Sequence, residues 1–478
     1  MKILLAKQFE GDILFYFGFG KELPVEFERF RTDAKSFEGK LCEVYSAPAE
    51  RAPYSRLAFV SLGPKEEFEP DYLRRAAGTA IRFSKGMKKT DIGFFVPDIA
   101  HAAKLLTEGA LLADFKFLKL KTKIEEKSIN SLTLVSKKDV SEEVRVGRIL
   151  AECQNYAREL GEQPANIMTP KAIAAQALAL ARKYNLHAKV FDESALRKAG
   201  MNALLAVARG SVEEPRFVVL EYKGAKKPFC AVVGKGVTFD SGGISLKPSA
   251  KLYEMKYDKS GALAALAVIR AVAELKLPIR IMALLPLAEN MPSGTAQHPG
   301  DIWTAYNGKT IEVLNTDAEG RLILADALAY AAEQKPDAII DLATLTGAII
   351  VALGRHAIGM FSNDEQLAKL FQESGYATCE RVWPFPLWKE YSEMMKSDYA
   401  DIKNISDTGE AGSITGAVFL KEFVGDAKWV HLDIAGVANI TTSHPYLEKG
   451  ASGIGVKLLT ETFIILSEKG NVSKKTKK

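Results

Sequence analysis

The octapeptide Asn315-Thr316-Asp317-Ala318-Glu319-Gly320-Arg321-Leu322 stands between a strand-like run, Thr310 to Leu314, and a helix-like run, Leu322 to Glu333. A strand passing straight into a helix is the repeating step of α/β architecture. In an extended segment, residues i and i+2 face one side, so Asp317 and Glu319 are expected to converge there. Unpaired like charges repel, and a hard or borderline divalent metal is the economical partner for them. Arg321 adds a fixed positive charge at a helix start, where free N–H groups also favour an anion. The plainer alternative is an Asp N-cap followed by a Glu in the first helical turn. The octapeptide by itself does not separate the two readings.

The rest of the chain repeats the strand-to-helix step. Residues 1 to 140 alternate strand-like runs (Arg56 to Leu62, Asp91 to Val96, Ser131 to Val135) with helix-like ones (Asp71 to Met87, Ile99 to Phe115). They predict a smaller N-terminal α/β domain. Ser141 to Glu162 reads as one long helix connecting the domains, with Ser141, Glu142 and Glu143 at its start. From residue 163 to about 470 a larger catalytic domain is predicted. Its strands include Phe217 to Tyr222, Phe229 to Val233, Ile279 to Pro286 and Ala338 to Leu342, and its helices Lys171 to Tyr184, Gly261 to Leu275 and Leu322 to Glu333. This pattern implies a mostly parallel central sheet flanked by helices, with ligands beyond the carboxyl ends of the strands. Residues 471–478 form a basic tail expected to fray.

With 478 residues the chain exceeds one ordinary domain, and its 47% hydrophobic and 26% charged residues are globular in balance. A net charge of +5 is small for this length and does not by itself mark a nucleic-acid protein. Four cysteines, Cys42, Cys153, Cys230 and Cys379, lie far apart without a Cys-x-x-Cys pair, which argues against a zinc ribbon or a disulfide framework. The N-terminus has too short an apolar run for a signal peptide, and Ala338 to Leu353 is too short and polar to span a bilayer. A cytoplasmic protein without a membrane segment is expected.

Two further segments carry chemistry. Val233-Gly234-Lys235-Gly236-Val237-Thr238-Phe239-Asp240-Ser241-Gly242-Gly243 follows a strand and supplies Lys235 and Asp240. Phe239 occupies the third glycine position of G-x-G-x-x-G, so this is no dinucleotide fingerprint. Glu254 to Gly261 places Asp258 just ahead of an Ala-rich helix, and Lys247 lies between the two segments, before Pro248. Each residue alone fits a turn or a helix start. No histidine sits in H-E-x-x-H, Gly450 to Ile454 falls one glycine short of a nucleophile elbow, and Gly308-Lys309-Thr310 fails as a P-loop. A cluster rich in carboxylates and lysines remains. It suits two divalent metals sharing a carboxylate.

The ordered set of these motifs resembles the leucyl aminopeptidase (cytosol aminopeptidase) family of two-metal aminopeptidases. It runs from Gly234 to Pro248, through Met255 to Asp258, Asn290 to Gly294 and the octapeptide, to Ala343 to Ala348. Pro164-Ala165-Asn166, Ala400 to Asn404 and His431 to Gly436 also fit. The resemblance covers about residues 160 to 460 and implies removal of N-terminal amino acids, leucine-like ones preferred, from peptides. It implies two divalent ions per subunit, Mn or Zn. Asp240 and Glu319 would bridge them, and Lys235 and Asp258 would complete the tighter site. Asp317 would serve the exchangeable site with its side chain and carbonyl oxygen. Lys247 would hold the substrate carbonyl oxygen as it becomes an oxyanion, and Arg321 a bicarbonate that acts as general base. Thr344, Leu345 and Gly347 would contact the peptide backbone, and Met255 would line the pocket for the first side chain. A homohexamer is also implied, as is an alternative in which the same fold binds DNA as an architectural protein. Lys259 departs from the family pattern, where an apolar residue is commoner, and Thr295 and His298 stand where basic side chains are common.

Overall fold

The structure is a computed structural model that describes residues 1–30, 36–49, 52–124 and 129–475. It divides into two compact units, one of Met1–Asn155 and Ile440–Lys449, the other of Tyr156–Asn439 and Gly450–Lys478.

The first unit contains β1 (Lys2–Ala6), β2 (Gly11–Gly18), β3 (Val44–Pro48), β4 (Tyr54–Ser61), α1 (Pro70–Gly86), β5 (Asp91–Phe95), α2 (Ala102–Asp114), β6 (Ser131–Val135) and most of α3 (Ser141–Glu162). Its six strands run in the order β1-β6-β5-β2-β4-β3. All neighbours are parallel apart from the β3–β4 pair. Parallel strands need crossovers, and α1 and α2 supply them. Pro70 opens α1, where its missing N–H costs nothing. Leu73, Ala76, Ala77, Ala80 and Ile81 of α1, at helical spacing, join the buried core with Ile13, Phe15 and Phe94 of the sheet. The small residues let α1 and α2 approach closely, since a Cβ on Gly109 would lie 2.3 Å from the Arg74 carbonyl oxygen. Between them Arg74 and Glu108 form a buried ion pair at 2.6 Å. Removing one partner of such a pair typically costs about 3–5 kcal/mol, because the other charge stays buried. The segment Ile440–Lys449 is tied into this unit by the Tyr446 hydroxyl, which donates to Asp71 Oδ1 at 2.6 Å.

The second unit continues from the end of α3 with α4 (Pro170–Tyr184), β7 (His187–Phe191), α5 (Glu193–Ala199), α6 (Asn202–Ala208), β8 (Arg216–Lys223), β9 (Phe229–Gly234), β10 (Gly236–Asp240), α7 (Ser260–Leu275) and β11 (Arg280–Asn290). Then follow β12 (Ile302–Thr304), β13 (Thr310–Glu312), α8 (Gly320–Glu333), β14 (Ala338–Ala343), α9 (Gly347–Leu353), β15 (Ile358–Ser362), β16 (Val382–Pro384), β17 (Ile402–Lys403) and β18 (Trp429–Asp433). Nine of these strands form one sheet in the order β16-β15-β18-β14-β9-β11-β8-β7, with β10 pairing β11. The central neighbours β18, β14, β9 and β11 are parallel, and antiparallel pairing enters at β8 and β15. The runs Phe229–Gly234 and Ala338–Ala343 are buried throughout, as expected of strands covered on both faces. α7, which packs against the sheet, is apolar on nearly every side, with 12 residues buried. Thr169 caps α4 by accepting from Ala172 N at 3.3 Å.

The run Thr310 to Leu314 was expected to be strand throughout. β13 ends at Glu312, and β12, β13 and β17 form a small separate sheet. The C-terminal helix, Val456–Lys475, continues through the start of the expected basic tail; residues 476–478 lie outside the described residues.

Candidate active site

Asp317 and Glu319 do converge, but a turn brings them together. Asn315 Oδ1 accepts from the Asp317 N–H at 2.8 Å, and the Ala318 N–H donates to the Asn315 carbonyl at 3.2 Å. Strand alternation plays no part, because the strand has already ended at Glu312. Glu319 directly precedes α8 and makes no side-chain capping bond to it, which removes the plain helix-cap reading.

Lys235 follows β9, the strand at the centre of the sheet, and is locked there in both directions. Its N–H donates to Leu342 O at 3.0 Å, and its carbonyl accepts from Ala262 N at 2.8 Å. Its ammonium reaches Thr344 O at 2.8 Å, Glu319 Oε1 at 2.8 Å and Asp258 Oδ1 at 2.9 Å. Only glycine leaves it room: a Cβ on Gly320 would lie 2.4 Å from Lys235 Cε. Asp240 ends β10, where its Oδ1 accepts from Gly242 N at 2.9 Å and Asn290 Nδ2 at 2.8 Å. Its Oδ2 lies 2.8 Å from Lys247 Nζ, which also pairs with Asp317. Gly242 itself sits at φ +88°, and a Cβ there would press 2.4 Å against Ser245 O. Asp258 caps the 3-10 turn Leu252–Tyr257 and accepts from the Thr344 hydroxyl at 2.6 Å.

One oxygen each from Asp240, Asp317 and Glu319 can be chosen so that all lie within 4.8 Å of one another. Asp258 Oδ2 is buried and accepts no hydrogen bond. Burial pushes all four carboxyls above their ordinary range; Glu319 adds to this at Asp240, and Asp240 adds to it at Asp317 and Asp258. Burial acts to lower the Lys235 ammonium, but Asp258, Glu319 and Asp240 overcome it and hold the group above its usual value. Lys247 is raised in the same way, against burial, by Asp240 and Glu319. The two lysines differ in reach. The Lys247 side chain is 23% exposed and Lys235 only 3%, so Lys247 is the more open of the two to the cavity.

That cavity, of about 240 Å³, is lined by Lys235, Asp240, Lys247, Met255, Asp258, Asp317, Glu319, Thr344, Leu345 and Gly347 together. Arg321 is not in the lining. It lies buried in the first turn of α8, donating from Nη1 to the Asn404 carbonyl, and its Nε is buried without a protein partner. Burial lowers its pKa to about 10 against the pull of Glu319 and Asp433.

Sequence reasoning assigned no role to several residues that hold this arrangement. Asn404 Oδ1 accepts from Leu314 N at 2.8 Å and its Nδ2 donates to Asn315 O at 2.7 Å, clamping the octapeptide from 90 residues away. Asp433 at the end of β18 accepts from Leu345 N at 3.1 Å and the Thr346 hydroxyl at 2.6 Å, which fixes the loop entering α9. The Glu162 carboxylate takes Lys256 Nζ and the Tyr257 hydroxyl at 3.2 Å each, and so holds the turn that carries Met255. Lys259, the apolar position of the resemblance, is fully buried; its amine donates to Gln163 O at 3.1 Å and to Lys256 O. Burial, with Lys256 nearby, lowers its pKa to about 7.

The sheet, the cluster at its strand ends and the cavity beside it define a hydrolase of the peptidase class. Residues 155–460 match the cytosol aminopeptidase family, catalytic domain, and residues 32–124 the N-terminal domain of the same family. The chain belongs to the cytosol aminopeptidase family and is an aminopeptidase. Proteins named "Probable cytosol aminopeptidase" are similar to it over most of its length. That of Roseiflexus castenholzii is 44% identical, covering 87% of this chain and 88% of the relative. That of Aquifex aeolicus is 41% identical, covering 91% and 90%. Among solved structures, the bottromycin maturation enzyme BotP in complex with Mn matches with a TM-score of 0.88 at 32% identity, over 96% of this chain and 100% of that one.

Proposed function

We propose that the chain removes leucine-like N-terminal residues from peptides with two divalent metal ions, Mn or Zn, held by Lys235, Asp240, Asp258, Asp317 and Glu319. The observation that carries this reading is the donor set itself. Three buried carboxylates, the half-buried Asp317 and a buried lysine surround one cavity wall, and a buried Asp258 oxygen there accepts no hydrogen bond. Oxygen donors of this kind suit hard or borderline divalent cations. Lysine can join them only as the neutral amine, which metal charge would favour. When bound, the metals supply Lewis-acid polarisation of the scissile carbonyl and lower the pKa of water. The remaining work falls to the chain. Lys247 donates to the oxyanion as it develops, and its exposure toward the cavity suits that task. The unpartnered Nε of buried Arg321 fits a small anion, and bicarbonate there would take the proton where the cavity lining offers no histidine. The loop Thr344 to Gly347, fixed by Asp433, presents its backbone to the peptide, and Met255 with Ile350 and Ala438 receives an apolar first side chain.

A free α-amine should be required. Leucyl-4-nitroanilide is expected to be hydrolysed and its N-acetylated form to be inert; equal turnover of both would overturn the exopeptidase reading. The relatives' names support a cytoplasmic setting, and no helix among the described residues is long and apolar enough to cross a membrane. We further propose a homohexamer, for which light scattering of active protein should give about six chain masses rather than one. Nothing in the fold or the matches supports the DNA-binding alternative.

A further inference from the structure

The active-site cavity contains three cations, and two of them are consumed by its own carboxylates. Lys235 pairs with Asp258 and Glu319, and Lys247 with Asp240 and Asp317. Arg355 is the third. Among the described residues it forms no ion pair, and it donates one hydrogen bond, from Nη1 to Asn439 Oδ1 at 3.2 Å. A guanidinium carries five N–H donors in a planar fork, so most of its capacity faces the cavity or solvent.

Its position along the cavity is set by α9. The helix starts at Gly347, beside the carboxylate cluster, and its seven residues span about 10 Å. Ile350 lines the cavity partway along, and Arg355 lies just beyond the helix end. The segment from Ala435 through Ala438 to Asn439, the residue that Arg355 grips, packs against the end of α9 and lines the cavity with it. The cavity is thus polar at the cluster, apolar in the middle and cationic at its far end.

We propose that Arg355, oriented by Asn439, is a specificity-determining residue that receives the carboxylate of a glutamate-like first side chain, making N-terminal glutamyl peptides substrates beside leucyl ones. The inference rests on the aminopeptidase reading of the cavity. A glutamyl side chain has the required form: methylenes for the apolar middle and an acceptor pair for the guanidinium fork. Glu254 also lines the cavity and has no ion pair among the described residues. It would favour a cationic side chain, but no hydrogen bond orients it, whereas Arg355 is held.

The test compares glutamyl-, leucyl- and lysyl-4-nitroanilides with the metal-loaded wild type, Arg355→Met, Arg355→Lys and Asn439→Ala. The wild type is expected to cleave the glutamyl substrate. Its glutamyl-to-leucyl ratio of kcat/KM is expected to fall about tenfold or more in Arg355→Met, as for loss of one charge-assisted bidentate contact. Arg355→Lys should recover part of the ratio, and Asn439→Ala should lower it less. A wild type that cleaves leucyl but not glutamyl substrate overturns the proposal. So does a ratio unchanged in Arg355→Met, or a lysyl preference that the Arg355 variants leave intact. A wild type inactive on all three would instead contradict the aminopeptidase reading itself.

Discussion

Exhaustive chelation is expected to abolish peptidase activity, and Mn, Co or Zn to restore it. The reason lies in what the lysines do within the protein. Lys247 lies 2.8 Å from Asp240 and also pairs with Asp317, and Lys235 lies between Glu319 and Asp258. With its ammonium held by two carboxylates, Lys247 is not free to meet an oxyanion. Divalent ions would take over the neutralisation of those carboxylates and release it. Because two ammoniums already offset much of the buried charge, the metal-free protein should keep its fold while losing turnover. The check is kcat/KM alongside elemental analysis and circular dichroism; full activity in protein verified free of metal would end the two-metal reading.

Lys247→Ala is expected to lower kcat by about 10²–10³-fold while metal content stays at two per chain, the usual loss for one oxyanion donor. Arg321→Ala should also keep its metals. Losing a positioned base typically costs about 10²–10⁴-fold, but bulk bicarbonate or water can partly replace the one at Arg321, so Lys247→Ala should be the more damaging. Glu319→Ala should lose metal and activity together, since its carboxylate meets Lys235 and shares the oxygen cluster with Asp240 and Asp317. Metal stoichiometry measured beside kcat separates the three. Near-normal kcat in Lys247→Ala with both metals bound would sink the proposed mechanism.

Local pattern made much of this molecule legible. The helix Ser141–Glu162 and the strand Ser131–Val135 end where their caps and periodicity place them. Lys235, Asp240, Asp317 and Glu319 follow strand-like runs and Asp258 precedes a helix, ordinary positions taken singly, and the structure brings all five to one cavity. The route to the carboxylate pair was misread, because Val313 to Ala318 form a loop whose shape depends on Asn315 and on Asn404, remote in sequence. Glu162, Asp433 and Arg355 were illegible for the same reason. A Glu near a helix end, an Asp ending a strand and an Arg after a glycine are ordinary in any sequence. They acquire a role only through partners such as Lys256, Leu345 and Asn439, 94, 88 and 84 positions away.

That remoteness has a kinetic consequence. The bonds that shape the cluster join Lys235 to Thr344 across 109 positions and Arg321 to Asn404 across 83. Contacts of such span close late, because the chain loses loop entropy before it gains their energy, and parallel strand pairing is slow for the same reason. Helical signal in refolding protein should therefore return well before turnover does. Recovered activity would report completion of the central sheet, and a chain cut anywhere between Lys235 and Asn404 would leave no half-working remnant.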